Sequence, residues 1–307
     1  MILALLAAGC GSAPVAPTPH TRPDVIVVSV DTLRADHLGF LGHEAAHTPA
    51  IDALARSGFA FRRATTPEPR TTPALASLQT GLRPTHHGAR EVGDVVTAEG
   101  RLAGWLAAAG WQTAAVSAMA VVSPEQAMDR GFDQFEVHHD ERAASMAERA
   151  LALARGLEGA EPAYLWVHFA DPHFPYLPDP HGPVQPDAPT CRRVAEQAAA
   201  GKLRRVELFA DRGGRATAML DECRALYDAE IAAVDEAVGA LLAGLAEARP
   251  GPRLVVFTAD HGENQGEDGL FFEHGPSVDD ADVHIPLVFA GDGVPAGTDD
   301  GVARLRT

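Results

Sequence analysis

Positive charge is what this chain is short of. Its 25 Lys and Arg stand against 42 Asp and Glu, a formal net charge of −17 over 307 residues. No basic stretch could neutralise a run of phosphates, which excludes nucleic acid as a partner. The same deficit repels anionic small molecules at long range, so an anion site has to be made locally, by metal, helix ends and His or Arg side chains. Cysteine is scarce as well, three in all. Cys191 and Cys223 could pair in an oxidising compartment, or stand as two free thiols. Beyond the first ten residues no apolar run is long enough to cross a bilayer as a helix. What is present, 46% hydrophobic and 22% charged residues, suits one large globular domain or one domain plus part of another.

The opening MILALLAAGC is an apolar run with small residues before Cys10, followed by a polar, Pro-rich stretch. It resembles a bacterial lipoprotein signal with Cys10 as the lipidated residue, although no basic residue precedes the run and Ala7 stands where Leu is usual. The expected organisation is a signal over 1–10, a linker over 11–22 and a catalytic domain over 23–307. The expected location is outside the cytoplasm, lipid-anchored in the cell envelope (periplasm or outer membrane).

Continuous apolar runs at Val25–Val30, Tyr164–Phe169, Leu254–Phe257 and Pro286–Phe289, with a weaker one at Thr113–Val116, read as strands covered on both faces. Helical patterns lie between them. Thr48 and Pro49 open one that Ile51, Leu54 and Ala55 line and Gly58 ends. Leu102, Trp105 and Leu106 repeat the pattern before Gly110. Tyr227, Ile231, Val234, Val238, Leu241 and Leu245 form one face of a long amphipathic helix. Alternating strands and helices predict an α/β sandwich with a mainly parallel central sheet. The polar, Pro-bearing stretch from Pro178 to Arg215 reads as a surface insertion.

In such a sheet, ligands bind beyond the carboxyl ends of the strands. Polar residues gather there: Asp31 after the first strand, Asp171-Pro172-His173 after the Tyr164 run, and Asp260-His261-Gly262-Glu263 after the Leu254 run. A fourth piece is Thr71-Thr72-Pro73, ahead of an apolar segment that stops at Gly81. With Thr72 as N-cap and Pro73 as first helical residue, Thr71 would sit where free N–H groups favour an anion. Its hydroxyl, held on a divalent metal, can act as a nucleophile. The alternative is that both threonines simply cap the helix.

The segments VIVVSVDTLRADHLGF, TPAIDALARSGFAF, TTPALASLQTGLRPTHHG, HFADPHFPY, YDAEIAAVDEAV and FTADHGENQGEDGLFFEHG occur in the order and context found in the sulfatase family of the alkaline phosphatase superfamily, which the chain resembles from about residue 24 to its end. The resemblance implies a three-layer sandwich and a metal-dependent ester hydrolase. Asp31, Asp260 and His261 would hold the metal, and Thr71 would be the nucleophile touching it. His173 and His274 would contact the transferred group or protonate the leaving oxygen. His168 fits a satisfied core histidine better, His86 and His87 fit rim loops, and Arg34 could steady a carboxylate or an anion.

The departures narrow the chemistry. Formylglycine-dependent sulfatases open the nucleophile motif with Cys or Ser and follow it with Pro-Ser-Arg. Here Thr71-Thr72-Pro73-Ala74-Leu75 stands instead, so formylglycine cannot form, and a Thr ester has to be cleaved by water at sulfur or phosphorus. That favours phosphoryl chemistry. The Lys-bearing segment expected after the strand near Val116 is replaced by Ser117-Ala118-Met119-Ala120. Resemblance implies Ca²⁺, whereas Thr32 after Asp31 and the nitrogen of His261 move the balance towards Mn²⁺ or Zn²⁺. The stop at Thr307 reads as the loss of a smaller C-terminal subdomain. Three functions follow: hydrolysis of a sulfated or phosphorylated small molecule or glycan, transfer of a phosphoryl-linked head group, or binding without catalysis. Oligomeric state is left open.

Overall fold

A computed structural model describes residues 22–157, 159, 161–201 and 215–304. The signal, with Cys10, lies outside them, and so does most of the linker. Ten strands can be traced in chain order among these residues. They are β1 (Asp24–Val30), β2 (Phe59–Thr65), β3 (Gln112–Ser117), β4 (Gln134–Val137), β5 (Ala163–Phe169), β6 (Arg253–Ala259), β7 (Asn264–Gln265), β8 (Phe271–Glu273), β9 (His284–Gly291) and β10 (Gly297–Arg304). The helices are α1 (Pro49–Ser57), α2 (Thr71–Thr80), α3 (Pro84–His87), α4 (Leu102–Ala108), α5 (Ala143–Gly156), α6 (Pro189–Ala199), α7 (Arg215–Ala248) and α8 (Asp280–Val283).

Eight strands form one sheet in the order β10-β2-β9-β6-β1-β5-β3-β4, and β7 and β8 make a small separate ribbon. β1 pairs in parallel with β5 and β6, and β3 with β4 and β5. All seven residues of β5 are buried, so both of its faces are covered. One helical group, α1, α5 and α6 packed on α7, and a second, α2 with α3 and α4, provide the cover. The apolar face of α7 is buried along Tyr227, Ile231, Val234, Val238, Leu241 and Leu245. Each aliphatic side chain there contributes roughly 1.5–3 kcal/mol of transfer free energy.

Four local expectations change. β9, which contains Pro286–Phe289, runs antiparallel to both β6 and β2, because a buried apolar run carries no information about direction. Thr48 makes no capping bond to α1. The Asp235 carboxylate of α7 accepts from the N–H groups of Ala50 and Ile51 instead, at 3.0 and 2.7 Å. Trp105 is 55% exposed, and Ala103 is the buried residue of α4. α2 starts at Thr71 with Arg70 as N-cap, two residues before the expected first helical residue Pro73, so both threonines lie in its first turn. In the polar stretch after β5, α6 docks on α7 and Cys191 is disulfide-bonded to Cys223, Cα atoms 5.2 Å apart. Residues 202–214 of that stretch lie outside those described.

Candidate active site

Register puts the first two carboxylates side by side. Val30 of β1 pairs with Ala259 of β6, and the next residue on each strand is an aspartate, Asp31 and Asp260. Parallel neighbours ending together deliver both to the same carboxyl edge. Thr32 then turns the chain with φ 55°, a left-handed conformation costly for a β-branched residue. The turn is held from both sides: its N–H donates to Asp260 Oδ1 at 3.1 Å, and its carbonyl accepts from the Tyr227 hydroxyl at 2.7 Å.

His261 follows with its own N–H on Asp260 Oδ1 at 2.7 Å. Its ring Nδ1 lies 2.8 Å from the carbonyl of Gly262. A carbonyl only accepts, so Nδ1 carries the hydrogen and the lone pair of the neutral ring sits on Nε2. That nitrogen is 3.3 Å from Thr71 Oγ1, 3.4 Å from Asp260 Oδ2 and 3.7 Å from Asp31 Oδ1. Gly262 is needed here, since a Cβ on it would lie 2.0 Å from the carbonyl oxygen of Ala281.

Thr71 opens α2, whose first internal bond runs from Ala74 N–H to Arg70 carbonyl at 3.0 Å. Neither threonine caps the helix. Thr72 Oγ1 donates to the Val121 carbonyl and accepts from Gly93 N–H. The Thr71 hydroxyl is buried and turned to the sheet edge, where Asp31, Asp260 and His261 converge.

The electrostatics of this point are unbalanced. Both oxygens of Asp31 and Oδ2 of Asp260 are buried with no hydrogen-bond partner. Burial, then Asp260, then Glu263 hold the Asp31 carboxyl well above the usual carboxylate range. Carboxylate oxygens of both aspartates and an imidazole nitrogen lie within 4.8 Å of one another. Orphaned anionic oxygens and a lone pair aimed at one spot fit a divalent cation. A mixed oxygen and nitrogen set with a hydroxyl suits Mn²⁺ or Zn²⁺ chemically, while Ca²⁺ prefers oxygen alone.

Beside this cluster stands a second group. The His274 ring is 4.4 Å from that of His261 and 5.3 Å from that of His173, between centroids. Glu263 Oε1 lies 3.4 Å from His274 Nδ1, and the Tyr176 hydroxyl donates to Glu263 Oε2. All six residues singled out in the sequence therefore fall in one neighbourhood. Glu263 and Asp282 were not among them. Asp282 is buried with both oxygens unpartnered, and its pKa is pushed up to about 6, chiefly by burial. Glu263 had a signal, its place two residues after His261; Asp282 had none.

The remaining polar residues have other employment. Arg34 pairs with Asp36 and Glu267 and donates to the Glu263 carbonyl, which ties two loops together. His86 is exposed as expected, but His87 is buried. His87 accepts from Ala89 N–H through Nδ1 and meets Ser77 Oγ at 3.0 Å through Nε2. Burial pushes its pKa down to about 4, so it is a neutral packing residue. His168 meets Ser29 Oγ through Nδ1 at 2.9 Å, while its Nε2 has no partner.

The family model described as Sulfatase matches residues 23–304. An arylsulfatase of Clostridium perfringens is 32% identical over 119 residues, 38% of this chain and 24% of the relative. A choline-sulfatase of Rhizobium meliloti is 23% identical over 90% of this chain and 64% of its own length. The chain thus spans less than two thirds of either relative. Among solved structures, one in complex with its substrate D-glucosamine-2-N,6-O-disulfate superposes with a TM-score of 0.74 at 16% identity, covering 93% of this chain and 74% of the other. The phosphonate monoester hydrolase of Agrobacterium radiobacter gives 0.69 at 22% identity, over 92% and 71%. At such identities these structures speak for the fold alone, a three-layer α/β sandwich. With the family model matched along almost all of the described residues, the chain belongs to the sulfatase family.

Proposed function

We propose that this chain forms the catalytic part of a metal-dependent hydrolase that cleaves a sulfate or phosphate ester with Thr71 as nucleophile. One observation carries the reading: the buried Thr71 hydroxyl, 3.3 Å from the lone-pair nitrogen of His261, stands beside three carboxylate oxygens without partners. Asp31, Asp260 and His261 would hold the ion and Thr71 would touch it. A bound divalent cation supplies positive charge that favours the ionised hydroxyl and offsets the anionic ester.

The protein's own part follows. Thr71 Oγ1 forms a bond to sulfur or phosphorus as the bond to the alcohol breaks in line. The leaving oxygen takes a proton from His173 or His274, the latter with Glu263 Oε1 3.4 Å from its Nδ1. Water then attacks the same centre, giving its proton to the neutral histidine, and Thr71 leaves. Threonine has no aldehyde exit, so both half-reactions use one in-line geometry, which suits phosphorus better than sulfur. The free N–H end of α2 adds a partial positive charge at the reacting group.

Export and a lipid anchor at Cys10 remain part of the reading, supported by the opening apolar run and by the Cys191–Cys223 bridge, a feature of oxidising compartments. Purified protein should turn over aryl sulfate, aryl phosphate or aryl phosphonate ester only with Mn²⁺, Zn²⁺ or Ca²⁺. Mass spectrometry of quenched reactions should find the adduct on the peptide holding Thr71. Metal-independent turnover, or an adduct elsewhere, would sink the assignment.

A further inference from the structure

A cavity of about 480 Å³ has His173 in its wall. Its composition is unlike that of an anion site. Four acidic residues line it: Asp140, Glu141, Asp171 and Glu230. The basic side chains in or beside it are engaged: Arg142 donates to the Leu177 carbonyl at 2.6 Å, His139 Nδ1 lies 2.9 Å from Asp140 Oδ1, and Arg149 donates to Glu141 at 2.6 Å. Among the described residues, that leaves Asp171 and Glu230 as the acids with no basic side chain of their own in the wall. Asp140 stands at the exposed end, whereas Glu230, on α7, is 3% exposed. Glu230 Oε1 accepts from Leu177 N–H at 2.6 Å, and its Oε2 is buried without a partner. Met119, Phe174 and Leu177 give the rest of the wall an apolar character.

A buried carboxylate oxygen with nothing to bind is unfavourable unless a donor or a positive charge arrives. A metal ion is a poor candidate for that role. Among the described residues these four acids do not bring three ligand atoms within 4.8 Å of one another, as the groups able to hold a metal do. An organic cation answers both features, because its charge meets the carboxylates while its carbon skeleton meets the apolar wall. Position adds the last constraint. His173 lines the cavity and its ring lies 5.3 Å from that of His274, which in turn lies 4.4 Å from that of His261. His173 is thus shared by the cavity and by the ring cluster that reaches His261 beside Thr71, the side on which a leaving alcohol would need room.

We propose that this cavity receives the leaving group, and that the leaving group carries a positively charged nitrogen, as in an amino-alcohol or amino-sugar ester. This inference rests on the hydrolase reading for its placement, though not for its test. The anionic head of such a substrate meets the nucleophile, and its ammonium meets Glu230 and Asp140. Burial, then the neighbouring Asp171, raise the Glu230 pKa well above the usual range, so a cation arriving here would also draw the group towards its ionised form.

The test compares matched pairs. Choline sulfate against 3,3-dimethylbutyl sulfate, and glucosamine 6-sulfate against glucose 6-sulfate, differ in the charge at one nitrogen position. The wild type should favour at least one charged member by about ten-fold or more in kcat/KM, on the scale of one charge-assisted contact. The ratio within each pair is the readout, so a general loss of activity in a variant cancels. Glu230→Gln keeps the acceptor for Leu177 N–H and should collapse the ratio towards one. Asp140→Asn, exposed and outside the core, should lower it by a smaller factor. A wild-type ratio near one, or a ratio unchanged in both variants, overturns the proposal. Calorimetric titration with choline, glucosamine and their neutral counterparts covers the case in which no ester is turned over. Charged binders that Glu230→Gln weakens would then keep the pocket and remove the hydrolase reading. Charged compounds binding no better than neutral ones remove the pocket.

Discussion

At Thr71 the geometry separates two roles that the residue type alone leaves open. A capping threonine bonds to its own helix, and this one faces His261 across 3.3 Å. Thr71→Ala should lose about 10³-fold or more in kcat and every trace of adduct, and Thr71→Ser should keep both measurably. A Thr71→Ala enzyme within ten-fold of wild type would show that another group attacks. Asp31 gives a second residue-level expectation, because its carboxyl is held against Asp260 and Glu263 with neither oxygen paired. Asp31→Asn removes an ionisable group that burial and two neighbouring acids disfavour, so in chelator the variant should melt above wild type. With metal added, the wild type should rise and the variant should not. Equal melting temperatures in chelator would show that repulsion at this site is already relieved. His87 supplies a pH dependence. Its pKa falls from the ordinary 6.5 to about 4 on folding. A depressed value contributes stability that is present above pH 6.5 and lost as pH falls towards 4. At 1.36 kcal/mol per unit, the loss is about 3 kcal/mol at most. His87→Asn keeps an acceptor for Ala89 N–H, and denaturant titrations at pH 7 and pH 4 should show a smaller fall than wild type.

Elements were legible where burial is symmetric and obscure where it is not. β1, β5 and β6 are apolar on both faces and announce themselves, and the step of four and three along α7 does the same. β2 carries the exposed Arg62 and Arg63, and β10 reads GTDDGVAR. Near the edge of a sheet such strands owe their pairing to a neighbour's backbone, which no periodicity records. The N-terminus of α1 illustrates the same limit. Thr48 before Pro49 is a good local capping signal, yet Asp235, 185 residues away from Ala50, does the capping. The disulfide was open for a similar reason, since two cysteines 32 residues apart pair only if α6 folds back on α7. Closing that loop contributes about 3–4 kcal/mol by the chain-entropy model. Reduction, or Cys191→Ser, should lower the urea midpoint accordingly, and an unchanged midpoint would mean that helix packing alone holds α6.

At the scale of the molecule, the acidic surface and the reaction centre pull in opposite directions. The pairing of Asp31 with Asp260 was legible because parallel neighbouring strands share a carboxyl edge. Asp282 and Glu230 were not, since their contribution depends on burial created by distant segments. The net charge of −17 acts over the whole surface. Salt shortens the reach of exposed charges to about 10 Å at 0.1 M and leaves buried attraction largely intact. Raising ionic strength should therefore screen the repulsion that an anionic ester meets on approach while sparing its binding at the centre. For a dianionic aryl phosphate, kcat/KM should rise severalfold between about 10 mM and 200 mM salt, mainly through KM. An ester whose leaving group carries a compensating ammonium has little net charge and should show a much flatter response. Measuring both series at one metal concentration separates screening from changes in metal occupancy. If the dianion is instead turned over less well as salt rises, local attraction dominates and the acidic surface has no bearing on substrate capture.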